Sequence, residues 1–257
     1  MKFFAQLSFK KARTPFCEVH MDIKLFYTDN GEAGGKCPMI LLHGNGGNAS
    51  SFFYVVDHYI KSRRVITLDT RGHGRSPKGD APFTLKQFAE DLLCFMDEQG
   101  IDKADLIGYS DGGNIAMLFA IKYPERVNSM VLNGANMFPE GLMECDRRWI
   151  MGEYKRSKKA LRRNPQNGKA RESYDLMSLM VKEPHITPEE LSALDIPTLV
   201  LVGSRDAIKP EHTRLIADSI KGSTLAVVDG GHNIVKSNSE GYIEALEDFY
   251  GKVWNKK

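Results

Sequence analysis

Apolar and polar positions change period several times along this chain. Val19, Met21, Ile23 and Leu25 alternate with His20, Asp22 and Lys24, the pattern of a half-exposed strand. Later apolar runs are continuous: Met39–Leu42, Val65–Leu68, Leu106–Ile107, Met130–Leu132 and Thr198–Val202. Such runs suit parallel strands covered on both faces. Between them, Ser51–Ile60, Leu85–Glu98, Asn114–Tyr123 and Glu211–Ile220 carry helical periodicity. Strand–helix alternation of this kind predicts an α/β fold, a doubly wound and mostly parallel sheet.

From Phe138 to Leu194 the rhythm breaks. Trp149, Ile150 and Tyr154, and then Tyr174, Leu176, Met177, Leu179 and Met180, suggest short amphipathic helices, interrupted at Asn164-Pro165 and Glu183-Pro184. The expected division is therefore a core of residues 1–137 and 195–257 with a small helical cap insertion over 138–194. Phe138, Met143, Trp149, Met177 and Met180 are candidates to line a substrate pocket beneath that cap. Met151 belongs to the same apolar set, part of which would form the cap's own core.

The chemistry concentrates at strand ends. Gly108-Tyr109-Ser110-Asp111-Gly112-Gly113 follows the strand ending at Ile107 and precedes the helix from Asn114. In that setting G-x-S-x-G is a nucleophile elbow. A strand turning straight into a helix holds Ser110 in a strained conformation, with the helix N-terminus behind its hydroxyl. A serine hydroxyl needs a base. Gly203-Ser204-Arg205-Asp206 and Asp229-Gly230-Gly231-His232 close two later strands, so Ser110, Asp206 and His232 fall on one sheet edge in the order Ser, acid, His. One strand earlier than the one leading to Asp206, the strand end reads Asn133-Gly134-Ala135-Asn136 and offers no carboxylate.

A rival reading uses Gly44-Asn45-Gly46-Gly47-Asn48-Ala49, which fits G-x-G-x-x-G/A, with Asp69 as the ribose-binding acid of a nucleotide-binding oxidoreductase. That fingerprint normally opens the first βαβ unit, whereas two strands are expected before this unit. It also leaves Ser110, Asp206 and His232 unexplained.

Taken in order and spacing, several segments together resemble the α/β-hydrolase fold family over nearly the whole chain. They are His43-Gly44-Asn45-Gly46, Asp69-Thr70-Arg71-Gly72-His73-Gly74-Arg75-Ser76, the Ser110 elbow, Gly203–Asp206 and Gly230–His232. The nearest likeness is to small capped serine hydrolases: lactonases, esterases, C–C bond hydrolases and haloperoxidase-like members. The resemblance implies Ser110 as nucleophile, His232 as base and Asp206 as its orienter. It implies an oxyanion hole from the backbone N–H groups of Asn45 and Asp111, and neither a cofactor nor a metal. His43, His73, Asp69 and Arg71 read as organisers of their loops. A non-catalytic small-molecule-binding protein of the same fold is the alternative.

Composition narrows the partners. At 42% hydrophobic and 26% charged, the 257-residue chain is ordinary for a globular protein. A net charge of +2 does not suit a dedicated nucleic-acid binder. No run reaches the length of a membrane span. Residues 1–16 read as an N-terminal arm rather than a signal peptide. Cys17, Cys37, Cys94 and Cys145 are widely spaced, so a cytoplasmic location is expected. The small net charge hides an asymmetry: residues 147–171 hold ten Lys or Arg side chains and one acid, Glu153. That stretch is +9 and the remainder −7. A basic cap on an acidic body would draw a small-molecule acyl substrate of anionic character. The oligomeric state is not readable from these features.

Overall fold

The computed structural model describes residues 22–31 and 36–254. The N-terminal arm, Cys17, Val19 and Met21 lie outside them. Among the described residues, seven strands form one sheet in the order β1-β3-β2-β4-β5-β6-β7. They are β1 (Tyr27–Asn30), β2 (Met39–Leu42), β3 (Val65–Leu68), β4 (Ala104–Tyr109), β5 (Val127–Asn133), β6 (Thr198–Arg205) and β7 (Thr224–Gly231). β1 pairs antiparallel with β3, and every other pairing is parallel.

Two helical layers cover the sheet, and the period-2 alternation of the buried strands assigns residues to each. Ile40, Leu42, Ile66, Leu68, Leu106 and Leu132 face one core, shared with α2 (Leu85–Glu98), α3 (Asp111–Lys122) and α7 (Pro210–Ser219). Met39, Leu41, Val65, Ile107, Val131 and Leu199 face the other. That side is closed by α1 (Phe53–Tyr59), α8 (Ile234–Ser237) and α9 (Ser239–Trp254). Helix α9 is not among the segments expected above, although Tyr242, Leu246, Phe249 and Tyr250 recur at helical spacing and are buried.

Three expectations need correction. The strand expected over Val19–Leu25 is absent from its described part. Ile23 and Leu25 are buried and alternate with exposed Asp22 and Lys24, but the ladder begins only at Tyr27. The reason is the partner: β3 ends at Leu68, opposite Tyr27, and the chain then turns into the loop at Asp69–Ser76. Phe26 still bonds that loop, accepting from Asp69 N–H (2.9 Å) and donating to Ser76 Oγ (2.8 Å). Secondly, among the described residues one strand precedes β2, not two.

Thirdly, the helices between β5 and β6 are not all short. α4 (Glu144–Arg163) has 20 residues and α5 (Gly168–Lys182) has 15, followed by α6 (Pro188–Ser192). The breaks fall where Pro165 and Pro184 place them. α4 and α5 pack against each other, with Tyr154 and Tyr174 stacked at 5.4 Å between ring centroids. Leu179, Ile186, Leu191 and Leu194 join the same core cluster as α2 and α3, so the later part of this segment is anchored in the sheet's helical layer. No helix among the described residues is long and apolar enough to cross a membrane.

Candidate active site

Because β2 to β7 run parallel, their C-terminal ends share one edge, and the chemistry-bearing loops leave from it. β4 ends at Tyr109, and Ser110 turns the chain into α3 with φ 53° and ψ −120°. It is the one non-glycine residue at positive φ among those described, a strained conformation that the surrounding packing must enforce. Glycine makes that packing possible: a Cβ on Gly112 would lie 1.9 Å from the Leu42 carbonyl oxygen. One on Gly108 would lie 2.3 Å from the Gly112 carbonyl oxygen. The start of α3 is thereby pressed against the end of β2. The Ser110 carbonyl accepts from Gly113 N–H (2.8 Å) and Asn114 N–H (3.1 Å). The earlier amides of the first turn have no partner within the helix.

Ser110, Asp206 and His232 are brought together. His232 Nε2 lies 3.0 Å from Ser110 Oγ, and His232 Nδ1 lies 2.7 Å from Asp206 Oδ1. The Asp206 side chain is 2% exposed and that of His232 27%. Asp206 also accepts from Ile208 N–H (3.0 Å) and Gly203 N–H (3.2 Å). Burial pushes its carboxyl pKa up, but the His232 ring and the two backbone N–H groups outweigh that and hold it below the ordinary carboxylate value. Asp206 is thus an anion facing a ring nitrogen whose opposite nitrogen faces the serine.

Asn45 and Asp111 flank the same serine. The Gly47 N–H closes a turn onto the Gly44 carbonyl (2.9 Å), with Gly46 at φ 67° in its third position. This turn lies tight against the nucleophile, since a Cβ on Gly44 would come within 3.0 Å of Ser110 Cβ. Asn45 Nδ2 donates to Asp111 Oδ2 at 2.9 Å. Burial raises the Asp111 carboxyl pKa, against the opposing effect of that Asn45 bond.

The surrounding loops are held by the residues expected to organise them. His43 accepts Thr70 N–H at Nε2 (3.1 Å), which leaves Nδ1 to donate to the Gly44 carbonyl (2.7 Å). Burial lowers its pKa to about 4. Asp69 accepts from Ala49 N–H (2.6 Å) and Arg75 N–H (2.8 Å), one on each oxygen. This carboxylate therefore ties the two loops together rather than standing open for a ribose. Arg71 grips Asp91 with two bonds of 2.7 Å and reaches Asp22 at 2.7 Å.

Met143 lines a cavity of about 370 Å³ that reaches Asp206 from the side of β7 and α7. Phe138 borders a different one of about 440 Å³ with His185 and Ile186, its ring 4.5 Å from that of His212. Trp149 is 58% exposed on α4. Met177 and Met180 are half-buried on α5, the helix whose Leu176 carbonyl meets the Asn45 side chain (3.1 Å). Leu176, Asn114 and Asn136 contact the site's loops but escape sequence reasoning, because carboxamides and backbone carbonyls carry no motif. Among the described residues, no group of three or more His, Cys, Asp or Glu is placed to hold a metal ion.

Comparison with known proteins follows the same lines. The mouse (Mus musculus) protein "Serine hydrolase BPHL" is 28% identical over 250 residues, covering 88% of this chain and 83% of its own. The 2-hydroxymuconate semialdehyde hydrolase of Pseudomonas sp. strain CF600 is 35% identical over 108 residues. That match covers 40% of this chain but only 38% of the Pseudomonas protein's length. Among solved structures, a thermophilic esterase from Thermogutta terrifontis superposes with a TM-score of 0.73 at 25% identity, over 90% of this chain and 94% of its own. The model of the alpha/beta hydrolase fold matches residues 38–186, more than half of the chain, and the chain belongs to that family.

Proposed function

We propose that this protein is a serine hydrolase that cleaves an ester, lactone or related acyl bond of a small molecule. The observation that carries this reading is the continuous relay from Asp206 through His232 to Ser110, 2.7 Å and 3.0 Å long, ending on a serine held at positive φ. Kinship with proteins named as a serine hydrolase and an esterase supports it.

In this mechanism Ser110 Oγ attacks the substrate carbonyl carbon while His232 Nε2 takes the hydroxyl proton. Asp206 keeps the proton on Nδ1 and stabilises the imidazolium. The oxyanion of the tetrahedral intermediate rests on the backbone N–H groups of Asn45 and Asp111 at the positive end of α3. Collapse breaks the acyl bond, and His232 hands its proton to the leaving oxygen. Water, deprotonated by His232, then attacks the acyl carbon, and His232 returns that proton to Ser110 Oγ as the acid is released. In the same reading residues 138–194 act as a cap over a core of 1–137 and 195–257, shedding water and selecting the substrate. Its basic helix α4 favours anionic substrates.

A fluorophosphonate probe tests the reading. The wild type should be labelled on Ser110 and should hydrolyse an activated ester, and Ser110→Ala should lose both. A wild type that takes no label and turns over no ester refutes it, and leaves small-molecule binding without turnover as the function of this fold.

A further inference from the structure

The Asn45 side chain does something the relay does not require. Its Nδ2 donates to two acceptors from different parts of the fold: Asp111 Oδ2 at 2.9 Å, just after the nucleophile, and the Leu176 carbonyl of α5 at 3.1 Å. Asp111 Oδ1 in turn accepts from Asn114 Nδ2 (3.2 Å). Asn114 Oδ1 accepts the Asn136 N–H (2.8 Å), and Asn136 Nδ2 donates to the Phe138 carbonyl (3.1 Å). One chain of polar groups thus joins the turn after β2, the elbow after β4, the loop after β5 and α5. Asp111, Asn114 and Asn136 are all buried. A polar set buried this deeply is favourable only when its members bond one another, and it then permits few alternative arrangements.

The backbone geometry gives this chain a target. The Asn45 peptide sits in a tight turn pressed against Ser110, and its N–H is one of the two oxyanion donors in the mechanism above. A side chain whose amide nitrogen is held by two acceptors restrains rotation of that peptide. The α5 anchor is reinforced nearby: Leu176 Cδ1 would touch a Cβ on Gly46 at 4.0 Å, and Asp175 pairs with Lys78 at 2.5 Å.

We propose that Asn45 is a positioning residue for oxyanion stabilisation, its side chain locked by Asp111 from the core and by the Leu176 carbonyl from α5. The hole then reaches its working geometry only with α5 seated. This inference rests on the hydrolase reading. Small misplacements of a donor are costly to catalysis because the interaction is made in the transition state.

The test compares wild type, Asn45→Ala, Asn45→Ser, Asp111→Ala and the Asn45→Ala/Asp111→Ala double variant on an activated ester. Inhibition by phenylboronic acid, which forms a tetrahedral adduct on serine, is measured in parallel. Asn45→Ala should lower kcat about 10–100-fold with KM changed by less than about threefold, and should weaken the boronate by a similar factor. Asn45→Ser retains a donor and should recover part of the loss. Adding Asp111→Ala to Asn45→Ala should cost much less than it costs alone. A kcat within about twofold of wild type, a loss confined to KM, or additive losses would overturn the proposal. If Asn45→Ala does not fold, Asn45→Ser carries the same comparison. Fluorophosphonate labelling of the wild type separates the two readings. Without labelling both fail, whereas a labelled wild type with an Asn45→Ala variant of full kcat removes only the positioning role.

Discussion

His232 Nδ1 lies 2.7 Å from Asp206 Oδ1, on a carboxylate that is 2% exposed and also held by two backbone N–H groups. The acid is held by the backbone as well as by the ring, so the ring's tautomer and its aim at Ser110 are both set by a group that contributes no proton. Asp206→Asn keeps the shape and removes the charge. It should lower kcat by about 10³–10⁴-fold while KM stays within a few-fold. Steady-state kinetics on an activated ester checks this, and a loss below tenfold would mean that another group orients His232.

Two histidines outside the relay make stability depend on pH. His43 Nε2 accepts Thr70 N–H, and His212 Nε2 accepts Met137 N–H at 2.9 Å. Both rings must therefore be neutral in the fold, and burial lowers each pKa from 6.5 to about 4. The unfolded chain binds more protons between those values, so stability rises with pH there. The contribution is complete above about pH 6.5 and is lost as pH falls towards 4. Each group accounts for at most about 3 kcal/mol. Tm should drop on going from pH 7 to pH 4.5, and His212→Gln should flatten that slope. Parallel pH profiles for variant and wild type would exclude His212 as a contributor.

Most of the basic stretch forms one face of α4. Arg148, Lys155, Lys159 and Arg162 follow one another on α4 at helical spacing, flanked by Arg156, Lys158 and Arg163, and all of these are exposed. Glu153 pairs with Arg156 and leaves most of that charge unopposed. Replacing Lys158, Lys159, Arg162 and Arg163 by Gln should raise KM for a carboxylate-bearing ester several-fold at low salt, an effect that fades as screening shortens its reach. A neutral ester should be indifferent. Equal KM values for the anionic ester at low salt would leave the helix face without a steering role.

Much of this architecture is written locally. Met39–Leu42 and Val65–Leu68 are four-residue apolar runs, and both are strands with those bounds. Leu85–Glu98 carries a Thr84 cap and one apolar face, and it is a helix with those bounds. The elbow is equally plain, because its glycines answer to contacts within a few residues and with the neighbouring strand. Ser110, Asp206 and His232 could be grouped in advance because a parallel sheet gathers strand ends on one edge, whatever the distance along the chain.

What lies beyond short range needed the folded molecule. Ile23 and Leu25 keep a strand's alternation, but a ladder requires a partner, and β3 ends before it reaches them. Phe138, Met143 and Trp149 look alike as apolar residues of one segment, yet they part company over two cavities and an open helix face. Side-chain direction on a helix depends on what the helix packs against. The chain of carboxamides from Asn45 to Asn136 is the extreme case: hydrogen-bond partners 22 and 66 residues apart obey no period, and only the closing of the sheet brings them within 3 Å. Order and spacing along the chain sufficed for the groups proposed to react, and tertiary packing decided how those groups are held.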